Sequence, residues 1–334
     1  MAHLTSFTVE NFKRFEHFEM NNIGQFNLIV GDNNVGKTSV LEALLVDEDP
    51  TVFARRLLVV LFKFRRFDNI LTPYLEYFVR RSHKGWEQSQ IRFYPNQQTI
   101  TIDFVLDAGI YDWKRPPFPG TKSLTGNNAY YSPDFPVPYI PFGQLYEHFL
   151  TELYAKNIQF TELKDQFLQD LQTFIPAIKD IEVDVYSTGQ QKPILRISQH
   201  GIYNALPLGT FGDGAIKLFI ILIDIVLNHD SRLMVDEIDS GVHTSHFRDF
   251  WRTILKAAQR HNVQLFATTH NWECLQVFKE VLEETEMVQY QEKARCFTLI
   301  DSKVTQRVEA VCSTFAQFEN AIETNTEIRG GAVV

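Results

Sequence analysis

The sequence predicts an α/β fold built on a largely parallel sheet with helices on both faces. Two observations carry this. Short apolar runs at 26–30, 232–235 and 263–268 read as buried strands, each ending in a polar or glycine-bearing segment. Helical patterns follow them, over 38–45, 246–261 and 272–284, with a strongly apolar helix over 215–227 ahead of the second strand. Strands alternating with helices imply crossover connections, and hence parallel pairing.

The remaining elements follow in order. Residues 4–9 alternate and 15–20 mix apolar with polar. Residues 51–82 read as helix, 91–94 and 99–106 as strands. Residues 107–143, rich in Pro, Gly, Asn and Tyr, read as a long irregular segment. Helix returns over 142–174, then strands over 181–186 and 194–198. No internal repeat or sustained heptad pattern is visible.

The first strand runs into Gly31-Asp32-Asn33-Asn34-Val35-Gly36-Lys37-Thr38, which matches G-x-x-x-x-G-K-[ST]. Glycines let the backbone curl so that its N–H groups face phosphates. The helix beginning there adds its positive end, and Ser39 falls in its first turn. Lys37 is placed for the β- and γ-phosphates and the Thr38 hydroxyl for Mg²⁺, so ATP with magnesium is the expected ligand. The run Leu233-Met234-Val235 delivers Asp236 to the metal and Glu237 to the attacking water. An acid pair at a strand end can also be a solvated terminus; the glycine loop favours the catalytic reading. No Asn-Lys-x-Asp guanine-recognition motif occurs. His270 ends the next strand, where it can bond a γ-phosphate or simply cap the strand.

Glu10-Asn11-Phe12-Lys13, Gly31–Thr38, Val235–Ile238 and Ala267–His270 together resemble the RecF/SMC/OLD-like branch of ABC-type ATPases. Residues 236–243, 263–270 and 272–274 are similar to stand-alone ATPases of bacterial anti-phage defence operons, of PARIS type. The resemblance implies a P-loop NTPase: an ABC-type ATPase head with a mixed-sheet lobe and a helical lobe. One domain would span 1–334, with 46–205 a variable insertion or helical lobe. It also implies a signature loop that reaches a partner's γ-phosphate. Leu208–Gly214 is the candidate, with Thr210, Gly212 and Gly214 as contacts and Phe211 where a serine is usual. Ser240–His243 would cross the dimer interface. A glutamine contact is also implied, and Gln97 and Gln98 remain unassigned. About sixty residues follow His270, too few for a Toprim domain, and coiled-coil arms are not expected.

These features lead to an ATP-hydrolysing, self-associating switch for a separate effector, such as a Toprim-type nuclease, in anti-phage defence. The alternative is a RecF-like DNA-binding ATPase, using the basic stretch Arg55, Arg56, Lys63, Arg65 and Arg66; Arg80 and Arg81 lie not far beyond it. Those residues are interleaved with apolar ones, which favours the plainer reading of one solvated face of an amphipathic helix. A net charge of −9 opposes indiscriminate DNA coating. The three cysteines fit no zinc or redox spacing. No leader-like or membrane-length apolar run appears, so a soluble cytoplasmic protein is expected.

Overall fold

The computed structural model describes residues 3–47, 52, 56, 60, 81–82, 85–86, 89–95, 100–104, 137–142, 147–184, 194–199 and 206–326. Six strands form the central sheet: β3 (Phe26–Gly31), β8 (Tyr139–Ile140), β12 (Arg232–Val235), β13 (Gln264–Thr268), β14 (Ala294–Ser302) and β15 (Arg307–Thr314). Their order is β15-β14-β3-β13-β12-β8. All neighbours are parallel except β14 and β15. Every residue of β3, β12 and β13 is buried, which explains their largely apolar character; Asn27, Arg232, Gln264 and Thr268 are the buried polar exceptions.

Side-chain alternation divides the core in two. Phe26, Leu28, Val30, Leu233, Val235, Leu265 and Ala267 point to one face. There they meet α4 (Asp213–Leu227), α5 (Phe247–Arg260) and α6 (Trp272–Glu283). Ile29, Met234 and Phe266 point to the other face, where α1 (Lys37–Ala43) packs with β1 (Leu4–Phe12) and β2 (Phe15–Asn21).

β1 and β2 form a hairpin that continues through β6 (Ser89–Pro95) and β7 (Ile100–Phe104) into a four-stranded antiparallel sheet. A short pair, β4 (Arg81–Ser82) and β5 (Gly85–Trp86), precedes β6. A third sheet joins β9 (Ile178–Asp184), β10 (Ile194–Gln199) and β11 (Leu206–Pro207). Along the chain, α2 (Glu147–Asn157) and α3 (Leu163–Phe174) come between β8 and β9. Among the described residues, segment 46–205 thus supplies strands to all these sheets and the helices α2 and α3. The last helix, α7 (Phe315–Glu323), opens on a capping box from Thr314 and Gln317.

Several local expectations change. Arg81–Ser82 is strand rather than helix. Tyr139–Ile140, inside the expected irregular segment, pairs with Met234 and Val235 and extends the central sheet. The helix expected over 142–174 is two helices, broken by a turn at 158–162. Arg56 does not face solvent: it is part-buried and its guanidinium donates to Asp47 at 2.7 Å. Arg55, Lys63, Arg65, Arg66, Arg80, Gln97 and Gln98 lie outside the described residues. Among the described residues no helix is long and apolar enough to cross a membrane.

Candidate active site

Parallel pairing brings the carboxyl ends of β3, β13 and β12 to one edge, and all three motifs emerge there. β13 lies between the other two, so His270 stands between the glycine loop and the acid pair. The loop 31–36 leaves β3 with Gly31 at φ 152°, Asn34 at 64° and Gly36 at 112°. Gly36 has no room for a side chain, since an added Cβ would lie 2.9 Å from the Phe15 ring. Val35 is buried and anchors the loop, whereas Asp32, Asn33 and Asn34 are exposed. Lys37 curls back over the loop and donates to the carbonyls of Gly31 at 2.7 Å and Asp32 at 2.9 Å. Burial pushes the Lys37 ammonium below its ordinary pKa, while Asp236, Glu237 and Asp32 pull it back up. Ser39 is half-buried in α1.

The acid pair is tied to the loop by a short network. The Thr38 hydroxyl donates to Asp236 Oδ2 at 3.0 Å. Thr268, fully buried at the end of β13, donates to Asp236 Oδ1 at 2.7 Å and accepts the Glu237 N–H at 2.8 Å. The Tyr139 hydroxyl approaches Asp236 Oδ2 at 3.4 Å. Thr38 and Asp236 therefore offer a hydroxyl and a carboxylate oxygen on one spot, a donor set suited to a hard divalent cation. Glu237 has φ 45°, unusual for a residue with a side chain. Such strain persists where surrounding bonds over-determine it, and the Thr268 hydroxyl is one of them. His270 Nδ1 lies 3.9 Å from Glu237 Oε1, with both side chains partly exposed. Burial raises the pKa of Glu237, and His270 opposes that rise.

The candidate signature loop, 208–214, is not bonded to the phosphate loop of its own chain among the described residues. Residues 208–211 form a 3₁₀ turn ahead of α4, and the Thr210 hydroxyl donates to the Pro207 carbonyl. Thr210 and Gly212 are exposed. Among the described residues no hydrogen bond joins 209–214 to 31–38. The loop instead packs beside 240–243: a Cβ on Gly214 would lie 3.2 Å from the Gly241 carbonyl. Within one chain the site has its loop, acids and histidine but not these glycines.

Four contributors were not assigned roles from the sequence. Thr268 and Tyr139 are two. The Thr269 hydroxyl donates to Asp239 at 2.6 Å and bonds the Asn271 N–H, setting the chain after β13. Lys217, buried on α4, reaches the Asp236 carbonyl at 3.4 Å. Its burial pushes it down to about 8 despite Asp236, Asp239 and Glu237 nearby. The threonines fall in the run 267–270; Lys217 is the one basic residue of the largely apolar α4, which was its only signal.

Comparison with known proteins bears on the fold. Residues 3–132 match the family model described as an AAA ATPase domain. A Helicobacter pylori protein called "ATP/GTP phosphatase" is 22% identical over 91% of this chain and 95% of its own length. Among solved structures, the SmcHead crystallised with the C-winged helix domain of ScpA superposes with a TM-score of 0.53 at 11% identity. That match covers 96% of this chain and 99% of the other. The chain has the P-loop fold of an ABC-type, SMC-like ATPase head.

Proposed function

We propose that the chain is a magnesium-dependent ATPase that self-associates on ATP and uses hydrolysis to switch a separate effector protein. The convergence of Thr38, Asp236, Glu237 and His270 at one sheet edge carries the hydrolytic part. Backbone N–H groups of the loop and Lys37 hold the phosphate chain. Thr38 and Asp236 would hold Mg²⁺, which when bound would neutralise charge on the phosphates. Glu237 accepts a proton from, and orients, the water that attacks the γ-phosphorus in line. His270 bonds the γ-phosphate or that water. The leaving group is ADP.

Self-association is supported by the exposed 209–212 turn, which lacks bonds to its own phosphate loop. A second copy would supply Thr210, Gly212 and Gly214 to the γ-phosphate. The effector reading, a Toprim-type nuclease in anti-phage defence, rests on the motif resemblance. ATP turnover tests the chemistry. Wild type should release phosphate, Lys37→Ala should fail to bind ATP, and Glu237→Gln should bind but not turn over. Turnover by Glu237→Gln at the wild-type rate would remove the proposed base.

A further inference from the structure

A second cation sits on the phosphate loop, and the mechanism above does not use it. The β1–β2 hairpin turns at Lys13-Arg14, with Lys13 at φ 52°. Lys13 points inward and pairs with Glu42 on α1, both side chains buried. Arg14 points the other way. Its guanidinium donates to the backbone carbonyl of Asn34 and, at 2.6 Å, to the Asp301 carboxylate at the end of β14. Its stem lies along the loop: a Cβ on Gly36 would be 3.1 Å from Arg14 Cδ. The loop therefore carries two cations bonded to its own carbonyls, Lys37 on Gly31 and Asp32, and Arg14 on Asn34.

Neither Arg14 partner is strong. A neutral carbonyl is a weaker acceptor than an ionised oxygen. The side chain of Asp301 is 63% exposed and that of Arg14 35%, so solvent screens their attraction. A triphosphate offers several ionised oxygens in the geometry a planar guanidinium matches with two parallel bonds.

We infer that Arg14 is a second phosphate-chain ligand, and that Asp301 competes with the nucleotide for it. On this account Arg14 leaves Asn34 and Asp301 for the phosphates when ATP enters the loop, moving at the hairpin tip while Lys13 stays anchored. The inference rests on the phosphate-loop reading of 31–38. It also separates Arg14 from a simple clamp. A clamp needs both partners, so losing either residue would loosen the loop and weaken binding. A ligand in competition makes the two substitutions act in opposite directions.

Equilibrium binding of ATP, ADP and adenosine to the full chain decides, with Arg14→Ala, Arg14→Lys, Asp301→Asn and Lys37→Ala compared at matched thermal stability. Arg14→Ala should weaken ATP and ADP about tenfold and leave adenosine unchanged. Arg14→Lys should recover part of the loss. Asp301→Asn should leave ATP affinity unchanged or tighten it a few-fold. Weakening by Asp301→Asn comparable to that of Arg14→Ala overturns the inference in favour of a clamp. Unchanged ATP binding in Arg14→Ala, with binding lost in Lys37→Ala, overturns it while sparing the phosphate-loop reading. Unchanged binding in Lys37→Ala overturns both.

Discussion

Replacing Thr268 with valine removes one hydroxyl and leaves the shape of β13 almost intact. The hydroxyl makes two bonds, donating to Asp236 Oδ1 at 2.7 Å and accepting the Glu237 N–H at 2.8 Å. The first is charge-assisted and contributes roughly 1.5–3 kcal/mol; a buried amide left without an acceptor costs about 1–3 kcal/mol. Asp236 keeps Thr38 and Tyr139 as partners, so the lower half of each range applies, about 3 kcal/mol together. The larger effect falls on the rate. Glu237 is held at φ 45°, and without that bond its backbone can relax toward an ordinary conformation. Misplacing a reacting group by about 1 Å costs roughly a hundredfold in rate. Urea unfolding measures the first quantity and ATP turnover the second. Thr268→Ser, which keeps the hydroxyl, should stay close to wild type in both. A Thr268→Val variant with wild-type kcat would refute the idea that Thr268 positions the acid pair.

Two further predictions concern titration. Burial raises the pKa of Glu237 and His270 counteracts it, so the acid limb of kcat/KM should lie above the ordinary carboxylate range. His270→Ala should move that limb further up, besides lowering the rate; a limb that stays in place or moves down argues against their coupling. Asp224 on α4 is fully buried, its Oδ1 has no hydrogen-bond partner, and desolvation raises its pKa well above the usual value. Below about pH 3.8 the carboxyl is protonated in both folded and unfolded chains and exacts no penalty. As pH rises toward the folded pKa, the unfolded chain ionises first and stability falls. Asp224→Asn should therefore gain in urea midpoint relative to wild type between pH 4.5 and pH 8, and equal midpoints at both pH values would contradict the burial argument.

The central strands and their motifs were legible because a parallel strand buried on both faces is mostly apolar, and 28–30, 233–235 and 265–267 are runs of such residues. Chemistry-bearing residues at the ends of such strands stand out. What was missed has physical causes. Tyr139–Ile140 is a two-residue strand, too short for any periodicity, and its pairing with Met234 and Val235 is set by the sheet edge rather than by local preference. β14, β15 and α7 carry no motif, although 294–300 is as apolar as many strands. Arg56 looked like part of a solvated face because interleaved basic residues usually are; Asp47, nine residues earlier, draws it inward. Lys217 matters through the Asp236 carbonyl, a backbone atom that no residue pattern can advertise.

The central claim is that ATP joins two copies of this chain, each completing the other's site. Glu237→Gln, which should bind ATP without consuming it, isolates that step. Size-exclusion chromatography with light scattering, with and without ATP and Mg²⁺, reads the mass directly. The account predicts a shift to the mass of a dimer or larger only when ATP is present, abolished by adding Lys37→Ala. A protein that stays at the mass of one chain under every nucleotide condition would contradict it.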